Sequence, residues 1–117
     1  MKVDKPWGYE LIWARTDRYV GKILMIRRGE SLSLQYHEQK EEMLAVRSGR
    51  IQLEIGPSAD ELDRIELGPG ESVHIEPGVV HRTTALEDSV VLEASTYNPD
   101  DVVRLGDMYG REGTTSA

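Results

Sequence analysis

The residues with the most chemistry in them lie in one stretch, Gly29-Glu-Ser-Leu-Ser-Leu-Gln35-Tyr-His37. Glu42 follows it, Gly49 closes it, and Gly78-Val-Val-His81 answers it downstream. Two imidazoles, a carboxylate and a carboxamide at these spacings suit a single divalent metal. Gln35 and His37 are two apart, so on a strand their side chains share one face. The loop Glu38 to Lys40 is expected to turn the chain back and present Glu42 from the neighbouring strand. His81 is expected from a second hairpin, after a Pro-Gly turn. Leu44 and Val46 share the parity of Glu42, which places the carboxylate on an apolar inward face, where an unpaired charge is expensive. Two nitrogen donors with oxygen donors suit Zn, Mn, Fe, Ni or Co alike. Three or four protein ligands leave coordination positions for water or substrate. Gln35 reads two ways, as a ligand or as a hydrogen-bond partner of a substrate hydroxyl.

Such a centre needs a scaffold of short strands, and the chain reads as one. Gly and Pro turns punctuate expected strands at Tyr9 to Ala14, Tyr19 to Arg27, Ser31 to His37, Glu41 to Val46 and Arg50 to Ile55, and again at Arg64 to Leu67, Glu71 to Ile75, His81 to Ala85 and Val90 to Thr96. Ile51, Leu53 and Ile55 alternating with Gln52 and Glu54 give the clearest half-buried strand. Gly56 to Asp63 carries Pro57 and reads as an exposed loop. Asp100-Asp101-Val-Val-Arg-Leu reads as one helical turn capped by an aspartate, and residues from about 112 to 117 as a frayed tail. Phenylalanine is absent and aromatics make up only 6% of the chain, so the core rests on Val, Ile and Leu, residues at home in strands. The fold class is all-β, a closed barrel or jelly roll.

With 117 residues the chain is one domain. Fourteen Lys and Arg against 21 Asp and Glu give a net charge of −7, which argues against nucleic acid or an anionic membrane as partner. There is no cysteine, so disulfides and thiolate-bound zinc are excluded. No apolar run reaches membrane-spanning length, and a soluble cytoplasmic protein is expected.

The same spacings carry a family resemblance. Gly29, five residues, Gln35-x-His37, four residues, Glu42, six residues and Gly49 resemble the first motif of the cupins, small jelly-roll β-barrels, with Gln in place of the first His. Gly70, Gly78 and His81 resemble the second motif, with its proline displaced from position 76 to Pro77. Lys5-Pro-Trp-Gly-Tyr-Glu10, Ser31-Leu-Ser-Leu-Gln35, His81-Arg82 and the run from Asp100 to Arg111 are similar to the cupin domain of type II phosphomannose isomerases.

That resemblance implies one divalent metal held by Gln35, His37, Glu42 and His81. It implies a sugar or sugar phosphate as ligand, held by cations among Lys22, Arg82, Arg104 and Arg111. It also implies a homodimer, with an N-terminal arm over about residues 1–18. The implied activity is a metal-dependent aldose–ketose isomerisation, with Glu93 and Lys22 as acid and base. His74 reads equally as a pocket residue or as surface. Glu38, Gln39, Met43 and Leu44 replace family residues at the pocket mouth, which keeps two alternatives open. One is another metal-cupin chemistry (dioxygenase, epimerase or uronate conversion). The other is a carbohydrate- or metabolite-binding barrel without catalysis.

Overall fold

Alternating side chains supply two faces per strand, and two sheets stacked on their apolar faces supply a core. In the computed structural model, which describes residues 1–106 and 113–115, twelve strands build this arrangement. They are β1 (Lys2–Lys5), β2 (Gly8–Arg15), β3 (Tyr19–Ile26), β4 (Leu34–Tyr36), β5 (Glu42–Ser48) and β6 (Ile51–Ser58). The series continues with β7 (Glu61–Leu67), β8 (Ser72–Ile75), β9 (Val80–Ala85), β10 (Ser89–Thr96), β11 (Val102–Gly106) and β12 (Gly113–Thr115). The first sheet runs β1-β2-β3-β10-β5-β8 and the second β12-β11-β4-β9-β6-β7, with every pairing antiparallel. This is the all-β jelly-roll barrel expected from the chain. Among the described residues no helix is long and apolar enough to cross a membrane.

Several local expectations give way to the geometry. The segments around His37 and Glu42 are not a hairpin: β4 lies in the second sheet and β5 in the first, so residues 38–40 cross the barrel between them. The same holds for β8 and β9, whose Pro-Gly turn carries the chain from one sheet to the other. Alternation shows which face a side chain takes, but not which sheet a strand joins. Residues 56–63 are mostly strand rather than loop. A register shift between Ile55 and Ser58 takes Pro57, which has no amide hydrogen to give, out of the ladder. The helical turn expected after Asp100 is instead β11, a strand beside β4, and Gly113–Thr115 of the expected frayed tail form β12. Near the N-terminus, residues 2–5 and 8–15 pair with each other as β1 and β2, and β2 pairs with β3 in the first sheet.

The inward positions divide the barrel along its length. On β3, Lys22 is followed by Leu24 and Ile26; on β5, Glu42 by Leu44 and Val46; on β10, Val91 is followed by Glu93. Cross-strand register lines these up, Leu24 beside Val91 and Lys22 beside Glu93. One end is therefore an apolar core of Trp7, Leu24, Ile26, Leu44, Val46, Ile51, Leu67, Ile75, Ala85 and Val91. The other end is lined by buried polar side chains, and there the chemistry sits.

Candidate metal centre

His37, Glu42 and His81 are all buried, and their donor atoms lie within 4.8 Å of one another. Each arrives differently. His37 is the first residue past β4, Glu42 opens β5, and His81 is the second residue of β9. The turn before β9 is tied directly to the site, because the Gly78 amide donates to the His37 carbonyl at 2.7 Å. Gly78 makes that turn at φ 83°, a left-handed conformation that favours glycine.

Backbone carbonyls fix the tautomer of both rings. His37 Nδ1–H donates to the Asp101 carbonyl at 2.8 Å, and His81 Nδ1–H donates to the Val79 carbonyl at 3.0 Å. A carbonyl only accepts, so in each neutral ring Nε2 is the lone pair. These lone pairs face Glu42: His37 Nε2 stands 3.9 Å from Oε2, and His81 Nε2 stands 3.1 Å from Oε1. Burial outweighs the pull of Glu42 and lowers the His37 pKa, which keeps its Nε2 unprotonated. Nε2 of His81 is buried and makes no hydrogen bond among the described residues. Two imidazole lone pairs converging on a carboxylate, one of them orphaned, leave a place for a cation. The donor set fits a divalent transition metal, with the backbone carbonyls orienting the ligands from behind.

Gln35 lines the same cavity, opposite His81 on β9 and opposite Arg104 on β11. Asp101 organises the crossing segment. Its carboxylate accepts from the amides of Glu38, Gln39 and Lys40 at 3.0, 2.9 and 2.8 Å. Partial burial would raise the Asp101 pKa, but these three donors outweigh it and lower it. So one of the two aspartates read as a helix cap, Asp101, holds three loop amides instead.

A second layer of charge surrounds the centre. Lys40 is buried with its Nζ 3.5 Å from Glu42 Oε2 and 3.2 Å from Glu93 Oε2. Burial alone would lower its pKa; Glu93 and Glu42 on either side reverse this and raise it, so the ammonium stays charged. Burial likewise would raise the Glu42 pKa, but the Lys40 ammonium beside it helps to lower it. Glu93 also accepts from Ser95 Oγ at 2.9 Å. Lys22, buried, pairs with the equally buried Glu10 at 3.4 Å. The cavity is about 70 Å³.

The structure thus brings Gln35, His37, Glu42, His81, Lys22, Glu93 and Arg104 to one cavity. It does not bring Arg82 or His74 there. Arg82 alternates with His81 and so lies on the outer face of the second sheet, where Nε and Nη2 fork onto Glu54 at 2.9 and 3.2 Å. That fork, outweighing partial burial, lowers the Glu54 pKa. His74 is exposed beside Glu41 on the outer side of β8. Arg111 lies outside the described residues. The sequence gives no site role to Lys40 or Glu10, and reads Asp101 only as a possible helix cap. Lys40 looks like a solvated loop charge, and its one signal was its place two residues before an inward-facing carboxylate.

A profile for the cupin domain matches residues 22–94. Mannose-1-phosphate guanylyltransferase of Escherichia coli (strain K12) is 35% identical over 119 residues, covering 94% of this chain and 23% of that protein. Xanthan biosynthesis protein XanB of Xanthomonas campestris pv. campestris (strain B100) is 35% identical over 116 residues, covering 94% of this chain and 24% of that protein. The chain therefore spans about a quarter of the length of these curated relatives, the part that matches their cupin-containing C-terminal region. The structure of KdgF from Halomonas sp. matches with a TM-score of 0.70 at 23% identity, over 86% of this chain and 88% of that one. Motif spacing, two-sheet barrel and matched profile coincide on the same residues, and the chain belongs to the cupin domain family.

Proposed function

We propose that this cupin is a metal-dependent sugar-phosphate isomerase of the mannose-6-phosphate isomerase type. The observation that carries the reading is the convergence of His37, His81 and Glu42 in a cavity that also holds the Glu93–Lys22 pair, neighbours across β3 and β10. A divalent ion bound there would supply Lewis-acid polarisation of a carbonyl and an adjacent hydroxyl. Glu93, held by Lys40 and Ser95, is placed to take the proton from C2 of an aldose and return it to C1 through an enediol. Lys22, paired with Glu10, is the acid partner on the facing strand. Among the described residues, four cations (Lys5, Lys22, Lys40 and Arg104) against three carboxylates (Glu10, Glu42 and Glu93) line the cavity of a chain whose overall charge is −7. That local reversal of sign favours an anionic substrate. The guanylyltransferase relative is named for a sugar phosphate, which supports the same class.

The test is turnover of mannose 6-phosphate to fructose 6-phosphate by metal-stripped protein with Mn, Zn, Co, Ni or Fe(II) added back. The reading expects activity that requires the ion and disappears in His37→Ala. No turnover with any ion, in protein that binds one, would sink it and leave another metal-cupin reaction or ligand binding.

The protein is also proposed to act as a homodimer through the outer face of its first sheet. Leu11, Ile23, Leu92 and Ala45 form one cross-strand row there, and Trp13, Tyr19 and Met43 stand exposed beside it.

A further inference from the structure

A hexose 6-phosphate carries its phosphate at the opposite end of the carbon chain from its carbonyl, so on the isomerase reading the phosphate lies away from the metal centre. We infer that the phosphate is held in a second cavity, at the mouth of the barrel, whose key cation is Arg15. This cavity is about 100 Å³ and adjoins the first, with Lys22 and Lys40 lining both. Its polar wall is made by Arg15, Lys22, Lys40, Ser95, Thr96 and Asn98, and among the described residues no carboxylate side chain lines it. Three cations and no anion around a small cavity are the composition that a phosphate monoester calls for, since its dianion draws charge-assisted hydrogen bonds from several donors.

Arg15 reaches this position through an irregularity in β2. Ile12 pairs with Lys22, but the next pair is Ala14 with Gly21, so Trp13 is an extra residue in the ladder. Simple alternation from Glu10 and Ile12 would turn Ala14 inward and Arg15 out to solvent. The bulge shifts the register instead: Ala14 pairs with Gly21 on the outer face, and Arg15 pairs with the inward-facing Val20 at the rim of the barrel, where Arg15 is still exposed. Bulges beside functional sites characteristically re-aim a side chain in this way. Trp13 itself lies against Gly21, where an added Cβ would come within 2.7 Å of the indole, so the glycine makes room for the bulged residue.

The cations differ in their commitments. Lys22 and Lys40 are each paired with carboxylates of the metal cavity, whereas Arg15 makes no ion pair among the described residues. Thr96 Oγ1 accepts from the Glu41 amide and donates to Asn98 Oδ1, which leaves the Asn98 NH2 as the group that side chain offers. The substrate would therefore lie along the barrel axis, its carbonyl end at His37, Glu42 and His81 and its phosphate at Arg15.

The orientation rests on the isomerase reading, but the subsite can be tested without turnover. Inorganic phosphate would be titrated calorimetrically into the metal-loaded full chain, beside Arg15→Ala, Arg15→Lys and Arg18→Ala. The expected result is at least a tenfold loss of phosphate affinity in Arg15→Ala, partial recovery in Arg15→Lys and wild-type binding in Arg18→Ala, with metal affinity equal in all four. Equal phosphate binding by wild type and Arg15→Ala would overturn the subsite, and so would an equal loss in Arg18→Ala. Acetate binding as tightly as phosphate would overturn the phosphate assignment. Arg15-dependent phosphate binding without mannose 6-phosphate turnover would leave the subsite standing and remove the isomerase. Turnover whose KM is indifferent to Arg15→Ala would do the reverse.

Discussion

Glu42 is buried beneath two imidazoles whose donor hydrogens point away from it, toward the Asp101 and Val79 carbonyls. Lys40 lies within ion-pair reach of it, and the same ammonium also serves Glu93. Replacing Lys40 by Met would leave two carboxylates buried without their cation. Breaking a buried pair from one side costs about 3 kcal/mol. Lys40→Met is therefore expected to lower the unfolding free energy of the metal-free protein by about that amount in urea denaturation, with Lys40→Arg near wild type. A loss below about 0.5 kcal/mol, the scale of an exposed pair, would contradict this account of Lys40. The importance of Lys40 was illegible from sequence because its burial comes from the crossing of residues 38–40 between sheets, which no local pattern records.

At the scale of elements, the centre depends on how three connections are pinned. Asp101 gathers the amides of residues 38–40 and its own carbonyl orients His37, so one residue at the entry to β11 fixes both the crossing segment and a ligand. Asp101→Asn keeps the shape but loses the charge and half of the acceptor capacity. It is expected to weaken metal binding about tenfold, as second-layer substitutions do, with the β-sheet circular dichroism unchanged. Metal affinity equal to wild type would show that the carboxylate merely decorates the loop.

The same elements show what could be read in advance. The parity of Glu42 with Leu44 and Val46, and of Gln35 with His37, placed these side chains inward correctly, because alternation along a strand is local. Partner choice between strands is not local, so β4 and β5 were read as a hairpin although they sit in opposite sheets. The Arg82 position failed for a simpler reason. It neighbours His81 in sequence, and neighbours on a strand face opposite ways. The aspartates at 100 and 101 carry the same signal whether they cap a helix or a loop, and only the lie of β11 beside β4 separates the two.

For the molecule as a whole, the division into an apolar end and a polar, ion-paired end makes one end of the barrel a fold and the other a site. The outer faces divide as well: Arg82, Glu54 and Arg64 cluster on the second sheet, while the first presents Trp13, Tyr19, Met43 and Leu92. The proposed dimer should appear as twice 13.2 kDa in light scattering and fall to the monomer mass in Trp13→Glu; a monomer in the wild type would refute it. The measurement that bears most directly on the whole account is calorimetric titration of Mn or Zn into the metal-stripped full chain. The account predicts one ion per chain, with binding abolished in His81→Ala and Glu42→Gln variants that retain the wild-type circular dichroism. No saturable binding, or binding indifferent to both substitutions, would contradict it.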